Sequence, residues 1–261
     1  MEPLIVDILS LQLGGMSDKE IINYDLEKLE TDISHINRFN VLQEKAQSIL
    51  LRQSRMGIQT IAFYQSQYPT KFRDIDGRPP LIHLLGNAEL LEKENTVAVI
   101  GARSADKEGY EKAYRISRQF AEQGSVIISG LALGCDTAAH LGCLAANGKT
   151  IAIVATGLDR VHPHENEFLQ KLILDKKGLI LSEQVLGTKA TPKRLVAHNR
   201  LQAALAEKVI VAQCPIRSGT MYTVEFARQY GRDIYAAAPL CCTDKNSGNQ
   251  YLLEQEIAKS I

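Results

Sequence analysis

Six short runs of β-branched and aliphatic residues recur at nearly even spacing from residue 97 onward. Their starts lie 29, 25, 28, 30 and 25 residues apart, close to the ~30 residues of one strand–helix–strand unit. Strands that are apolar on both faces need helices on both sides. The pattern predicts an α/β domain with a doubly wound, mostly parallel sheet whose strands include residues 97–100, 126–128, 151–155, 179–181, 209–211 and 234–237.

The first 57 residues follow a different pattern. Ser17 and Glu20 have the spacing of a capping box at the start of a helix, and apolar residues then recur at helical spacing at Ile21, Ile22, Leu26, Leu29, Ile33 and Ile36. A second helical run covers residues 41–55. We therefore predict a small helical N-terminal module over residues 1–57 and a doubly wound α/β domain over 58–261. Within that domain, residues 58–95 form a lead-in and residues 96–240 the core sheet.

Composition narrows the class of protein. The 261 residues are 45% hydrophobic and 23% charged, as in ordinary globular proteins. No apolar run approaches the ~18 residues of a membrane helix, and the first residues lack the basic start of a signal peptide. We expect a cytoplasmic protein without membrane association. The formal net charge is zero at pH 7, so any nucleic-acid surface must be a local patch.

Neither a metal nor a disulfide framework is predicted. The five cysteines form no C-x-x-C pair and are odd in number, which favours free thiols. His162 and His164 are spaced like a ligand pair, but no third and fourth ligands follow at a useful spacing. We also expect no cofactor.

The turns that follow the predicted strands are rich in glycine and small polar residues. They cover residues 101–104, 129–136, 157–159 and 217–220. Ligands of a doubly wound sheet bind at the carboxyl ends of its strands, where backbone N–H groups and helix N-termini favour anions. Any one of these turns could be an ordinary tight turn, but together they predict a phosphate-binding crevice. Neither a P-loop nor a G-x-G-x-x-G motif is present.

A basic segment accompanies these turns. Residues 184–206 contain Lys189, Lys193, Arg194, His198 and Arg200 without one acidic residue. Such a run is either a solvated loop or a strip that contacts a phosphate backbone. On the helix after the second turn, Asp136 is interpreted as an N-cap and His140 as a packed histidine.

Several of these segments, in this order, resemble the DNA-processing protein A (DprA/Smf) family from about residue 57 onward. The matching strings are VAVIGARS at 97–104, SGLALGCDTAAH at 129–140, GLDRVHP at 157–163, LSE at 181–183, NR at 199–200, SGT at 218–220 and GRDIYA at 231–236. The resemblance implies an extended Rossmann fold, binding of single-stranded DNA, homodimerisation and delivery of that DNA to a RecA-type recombinase.

The resemblance also implies which residues would contact DNA. Arg103 corresponds to the phosphate-contacting arginine of the first turn, and His162 occupies the place of an aromatic residue that could stack on a base. The implied single-stranded DNA site comprises Gly101, Arg103, Ser104, Ser129, Gly130, Ala132, Gly134, His162, Lys193, Asn199, Arg200, Ser218 and Gly219.

The chain departs from the family pattern at several positions. Ala102 stands where the family has serine in Gly-Ser-Arg, and residues 195–200 replace a Phe-Pro-x-Arg-Asn-Arg block. Ala212 takes the place of a glutamate, and His162 that of a tyrosine. The alternative function is a nucleotide sensor or nucleoside-phosphate hydrolase that uses the same crevice. The residues show no paired carboxylates and no nucleophile–base pair, so we interpret the chain as a binding protein rather than an enzyme.

Overall fold

The computed structural model of the chain describes residues 3–24 and 39–261. Its first helices are α1 (Pro3–Leu13), α2 (Asp18–Asn23) and α3 (Phe39–Arg55). The predicted capping box is present, because Ser17 N donates to Glu20 Oε2 at 2.8 Å and Ser17 Oγ accepts from Glu20 N at 3.4 Å. Helix α3 confirms the second helical run and begins two residues earlier than predicted. The predicted helical positions Leu26, Leu29, Ile33 and Ile36 lie outside the described residues.

The rest of the chain alternates strands and helices. The strands are β1 (Gln59–Ala62), β2 (Leu81–Gly86), β3 (Thr96–Gly101), β4 (Val126–Ser129), β5 (Thr150–Val154), β6 (Leu179–Ser182), β7 (Lys208–Gln213), β8 (Asp233–Ala236) and β9 (Lys259–Ser260). The helices are α4 (Thr70–Arg73), α5 (Lys107–Glu122), α6 (Cys135–Ala145), α7 (Glu167–Asp175), α8 (Pro192–Ala197), α9 (Asn199–Leu205), α10 (Thr220–Gln229) and α11 (Ser247–Glu254). Short 3₁₀ turns occupy Ala88–Glu92, His164–Asn166 and Asp244–Asn246.

Within the described chain, nine strands form one sheet in the order β1-β2-β6-β5-β4-β3-β7-β8-β9. All pairings from β6 to β9 are parallel. The six predicted strands are β3 to β8, so the expectation of a mostly parallel Rossmann-like sheet is confirmed. Strand order reverses beside β3, whose neighbours are β4 and β7. This reversal is the switch point at which ligands bind in such sheets.

The lead-in was wrongly predicted to lie outside the sheet. Strands β1 and β2 form an antiparallel hairpin, and β2 pairs antiparallel with β6. His83 in β2 is buried, and its Nδ1 lies 2.9 Å from Gln53 Nε2 and 3.1 Å from Thr60 Oγ1. These contacts provide the hydrogen-bonding partners that a buried imidazole requires, and so a strand interrupted by histidine is accommodated in the sheet.

Helices cover both faces of the sheet, because consecutive strand residues point to opposite sides. In β3, Val97 and Val99 pack with α5 and α6, whereas Ala98 and Ile100 pack with α9, α10 and α11. Helix α7 packs over β5 and β6 through Leu169. The carboxyl ends of the strands remain uncovered by these helices, and the glycine-rich turns meet there.

The N-terminal module shares its apolar core with the hairpin. Buried side chains of α1, α2 and α3 pack in one cluster with Ala62 of β1 and Leu81 of β2. Arg52 of α3 also lies 3.7 Å from Asp159, in the turn after β5. The module therefore rests against the Rossmann-like domain. Over residues 3–24 and 39–261, no helix is both long and apolar enough to cross a membrane.

Candidate nucleic-acid interface

A cavity of about 680 Å³ lies at the carboxyl ends of β3, β4, β5 and β7. The turns that line it include three of the four singled out in the sequence, after β3, β4 and β7. Residues 192–202, on α8 and α9, form the opposite wall. The structure therefore brings the glycine-rich turns and part of the basic segment to one place.

The turn after β3 supplies a free cation at the rim. Gly101, Arg103 and Ser104 all line the cavity. The Arg103 side chain is exposed, and no salt bridge pairs it with an acid in the described parts of the chain. Ala102 is buried, and its backbone N–H donates to Gln213 O at 2.7 Å. That bond anchors the turn to β7 and leaves the guanidinium of Arg103 available to a ligand.

The turn after β4 is organised by a carboxylate. The N–H groups of Gly130 and Ala132 donate to Asp136 Oδ2 at 3.1 and 3.2 Å. The Gly130 amide is therefore already bonded within the turn. Asp136 is not the N-cap either, because Gly134 caps α6 and Asp136 lies in its first turn. Burial raises the pKa of Asp136 from 3.8 to about 6.

Two residues expected at the site shape the turn from outside the cavity. Ser129 is fully buried, and its hydroxyl donates to Val99 O at 2.8 Å. Gly134 has a φ of +75°, a left-handed conformation that favours glycine. A Cβ atom there would also collide with Ala102 O. Both residues position the turn, and neither lines the cavity.

Arg200 was wrongly assigned to the rim. Its guanidinium donates to Glu183 Oε1 at 3.0 Å and to Gly77 O at 2.9 Å, and its side chain is 10% exposed. It does not line the cavity. Its neighbour Asn199 does line the cavity, and Asn199 Nδ2 donates to Gly219 O at 3.1 Å. Of this pair, only the asparagine lines the cavity.

The turn after β7 supplies a second free cation. Arg217, Ser218 and Gly219 all line the cavity, and Gly219 is the N-cap of α10. Arg217 is exposed and has no acidic partner among the residues the structure describes. The prediction of site residues missed it, although it directly precedes the Ser-Gly motif.

The remaining predicted residues lie at the mouth. His162 is exposed and lines the cavity. Lys193 is exposed on α8; it does not itself line the cavity, but Pro192 beside it does. In the two described segments, no three His, Cys, Asp or Glu side chains are grouped as a metal would require.

The cavity floor carries two polar residues that were not among the predicted site residues. His198 and Gln202 line the cavity from α9 and the residue before it, and they are 6% and 3% exposed. Their spacing of four residues places them on one helix face, a signal that the sequence contained. His140 lies elsewhere: it is fully buried, with its Nδ1 2.7 Å from Thr150 Oγ1, which confirms a packed histidine.

Known proteins of one family are similar to this chain over most of its length. The family model described as DNA recombination-mediator protein A matches residues 59–261. DNA processing protein DprA of Streptococcus pneumoniae is 34% identical over 268 residues, covering 98% of this chain and 94% of that protein. This chain belongs to the DNA-processing protein A family.

Solved structures of the DprA family agree with the fold. The chain superposes on DprA from S. pneumoniae with a TM-score of 0.76 and 32% identity, covering 99% of this chain and 89% of that one. A structure described as showing the single-stranded DNA binding mode of DNA processing protein A from Helicobacter pylori gives a TM-score of 0.70 at 28% identity, covering 78% and 90%. The chain spans 52% of the length of protein Smf from Synechocystis sp., with which it shares 32% identity.

Three departures from the DprA pattern can be located in the structure. Ala102 is buried in the first turn and Ala212 in the core beneath it. Where the DprA pattern has arginine, His198 is buried, and burial lowers its pKa from 6.5 to about 4. The imidazole is therefore neutral at pH 7. The DprA-type crevice of this chain thus has cations at its rim and an uncharged histidine at its floor.

Proposed function

We propose that this chain binds single-stranded DNA in the crevice at the carboxyl ends of its strands. One observation carries the proposal: Arg103 and Arg217 stand at the same cavity, without salt bridges in the described chain, in a protein of zero net charge. Unpaired guanidinium groups beside the N-terminus of a helix are suited to phosphate oxygens. A patch of this kind binds a strand without a globally basic surface.

The comparisons support a DNA strand as the ligand. The matched family is described as a recombination mediator, and its H. pylori member is described by its mode of binding single-stranded DNA. We further propose that the chain passes the bound strand to a RecA-type recombinase in the cytoplasm, during DNA recombination or transformation.

We propose binding rather than catalysis as the role of the crevice. The carboxylate of Asp136 already accepts two backbone N–H groups, and His198 is held neutral by burial. These arrangements favour a fixed recognition surface. A nucleotide sensor or nucleoside-phosphate hydrolase is the competing function, and it would bind mononucleotides at least as tightly as a strand.

A homodimer is part of the same proposal. Apolar side chains are exposed beside the turn after β7 and after β8, with Ile216 44% and Leu240 86% exposed. The proposed homodimer would bury these two side chains. Light scattering of the purified chain at micromolar concentration should give twice the monomer mass, and a monomer at every concentration would contradict the dimer.

The function is tested by fluorescence anisotropy with labelled oligothymidylate. Unlabelled single strands should displace the label, while a duplex of the same length and the mono- and dinucleotides should be much weaker competitors. Stronger competition by a mononucleotide, together with its turnover, would support the nucleotide-directed function instead. Adding a RecA-type recombinase to the bound strand then tests delivery, which predicts faster filament assembly than on naked DNA.

A further inference from the structure

Gln202 is an unusual residue for the floor of an anion-binding cavity. It is 3% exposed and lines the cavity. Its side-chain amide forms no hydrogen bond with any other residue that the structure describes. Because this amide faces the cavity and is not bonded to the described part of the protein, both its donor and its acceptor groups are available to a ligand there.

Two further polar groups converge on the same point. A Cβ atom built on Gly130 would lie 2.8 Å from both Gln202 Nε2 and Asp136 Oδ2, and 3.2 Å from His198 Nε2. Only the missing side chain of Gly130 leaves this space open. Amide, carboxylate and imidazole thus form one compact recognition floor, defined here as Asp136, His198 and Gln202.

The charge of this floor differs from that of the rim. Burial raises the pKa of Asp136 to about 6, so the carboxylate is negative at pH 7, while His198 is neutral. A negative floor repels a phosphate. The cationic residues that attract phosphates, Arg103 and Arg217, stand at the exposed rim. A nucleotide therefore fits with its phosphate outward and its uncharged, hydrogen-bonding base inward.

We propose that the recognition floor binds the edge of one nucleobase and prefers guanine. This inference rests on the proposed binding of single-stranded DNA. Guanine presents two neighbouring donors, N1–H and the N2 amino group, which together suit a carboxylate such as that of Asp136. Its O6 is an acceptor for the Gln202 amide. Adenine, cytosine and thymine each lack the pair of adjacent donors.

The base preference is measured on the unmodified full chain. Short oligothymidylates that carry one central guanine, hypoxanthine, adenine or cytosine compete with a labelled oligothymidylate at constant salt. We expect the strand with guanine to bind roughly 5- to 100-fold more tightly than the others. Hypoxanthine lacks the N2 amino group, so its strand should lose most of this advantage.

Variants assign the preference to the floor. Gln202→Leu should reduce the guanine advantage without changing how affinity depends on salt, because it leaves the rim arginines in place. Gln119→Leu, on the exposed surface of α5, is the matched control and should keep the full preference. Asp136→Asn should also reduce it. If that variant does not fold, the series of central bases and the Gln202→Leu variant still test whether the recognition floor prefers guanine.

The outcomes separate the two proposals. Equal affinity for all central bases, with Gln202→Leu indistinguishable from the parent, overturns the recognition floor and leaves strand binding intact. Free dGMP is tested as a competitor in the same assay, to compare recognition of a guanine within a strand with recognition of a free nucleotide. Binding of dGMP without binding of any strand would overturn the proposed function and keep the guanine floor.

Discussion

The guanidinium of Arg200 is paired with the carboxylate of Glu183, with Arg200 Nη1 3.0 Å from Glu183 Oε1. The two side chains are 10% and 7% exposed. Arg200 also donates to Gly77 O at 2.9 Å, so it joins α9, the turn after β6 and the lead-in. Its positive charge stabilises the fold and is not available to a ligand.

We therefore expect Arg200→Ala to lower the free energy of unfolding. Removing one partner of a buried pair leaves the other charge uncompensated, at a cost of about 3–5 kcal/mol. Urea unfolding followed by circular dichroism measures this loss. Arg200→Met combined with Glu183→Leu should recover most of it, since no charge then remains unpaired. An Arg200→Ala protein that is as stable as the parent would contradict this assignment.

Arg103→Ala and Arg217→Ala should weaken DNA binding through charge. Each lost phosphate contact on a single strand should reduce the slope of log K against log salt by roughly 0.7. Affinity for different sequences should fall by a similar factor. Arg115→Ala removes an exposed arginine of α5 away from the cavity and is the matched control. Unchanged slopes in both rim variants would place the DNA site elsewhere.

His162→Ala tests base stacking at the mouth of the crevice. Loss of a stacked base costs on the order of 1–3 kcal/mol of binding free energy. The salt slope should stay nearly constant, because stacking on a base makes no ionic contact with a phosphate. His164→Ala is the control, since His164 does not line the cavity and lies 3.3 Å from Glu167. Equal losses in the two variants would argue against stacking.

Acid should destabilise the protein through its buried histidines. Burial lowers the pKa of His83 and His198 from 6.5 to about 4, and that of His140 to about 3. Between these values and 6.5 the unfolded chain binds more protons than the folded one, so stability falls as pH drops. At about 1.4 kcal/mol per unit of pKa shift, each histidine lowers the free energy of unfolding by a few kcal/mol over this window.

Asp136 has the opposite effect on how stability depends on pH. Its pKa is raised from 3.8 to about 6, so its contribution to stability is present below pH ~4 and is lost as pH rises through ~6. Asp136→Asn should therefore steepen the acid loss, whereas His140→Gln should flatten it. Urea midpoints at several pH values between 4 and 7 measure both slopes. Identical slopes in parent and variants would contradict this account.

The domain over residues 58–261 should fold without the N-terminal helices, because its sheet and covering helices lie within those residues. Removal would uncover the apolar face of β1 and β2 around Ala62 and Leu81. We expect a cooperative thermal transition at lower temperature, with increased binding of an apolar dye. A truncated chain that shows no cooperative transition would place the boundary elsewhere.

The sequence predicted the fold where apolar spacing is regular. Strands β3 to β7 are buried on both faces along most of their length, so each contains an uninterrupted apolar run. The hairpin was missed because Thr60 and His83 interrupt its strands, and their bonding to Gln53 depends on the packing of α3. Strand β9 has two residues, too few to form a pattern.

The site was predicted in part, for a related reason. Glycine-rich turns can be recognised in the sequence, because a backbone that comes close to a ligand or to another segment requires glycine. The sequence does not show which acidic residue pairs with a given arginine. Arg200 was therefore assigned to the rim, although its partner Glu183 lies only 17 residues earlier. Burial of Gln202 likewise depends on where α9 lies between Gly130 and the helices around it, which local sequence does not encode.

The antiparallel pairing of β2 with β6 has a consequence for synthesis on the ribosome. Strand β2 ends at Gly86, and its partner begins at Leu179, about 90 residues later. At ~5–20 residues per second, β6 leaves the ribosome roughly 5–20 s after β2. During that interval one edge of the hairpin has unsatisfied backbone donors and acceptors, so the nascent chain is most prone to aggregation while β3, β4 and β5 are being made.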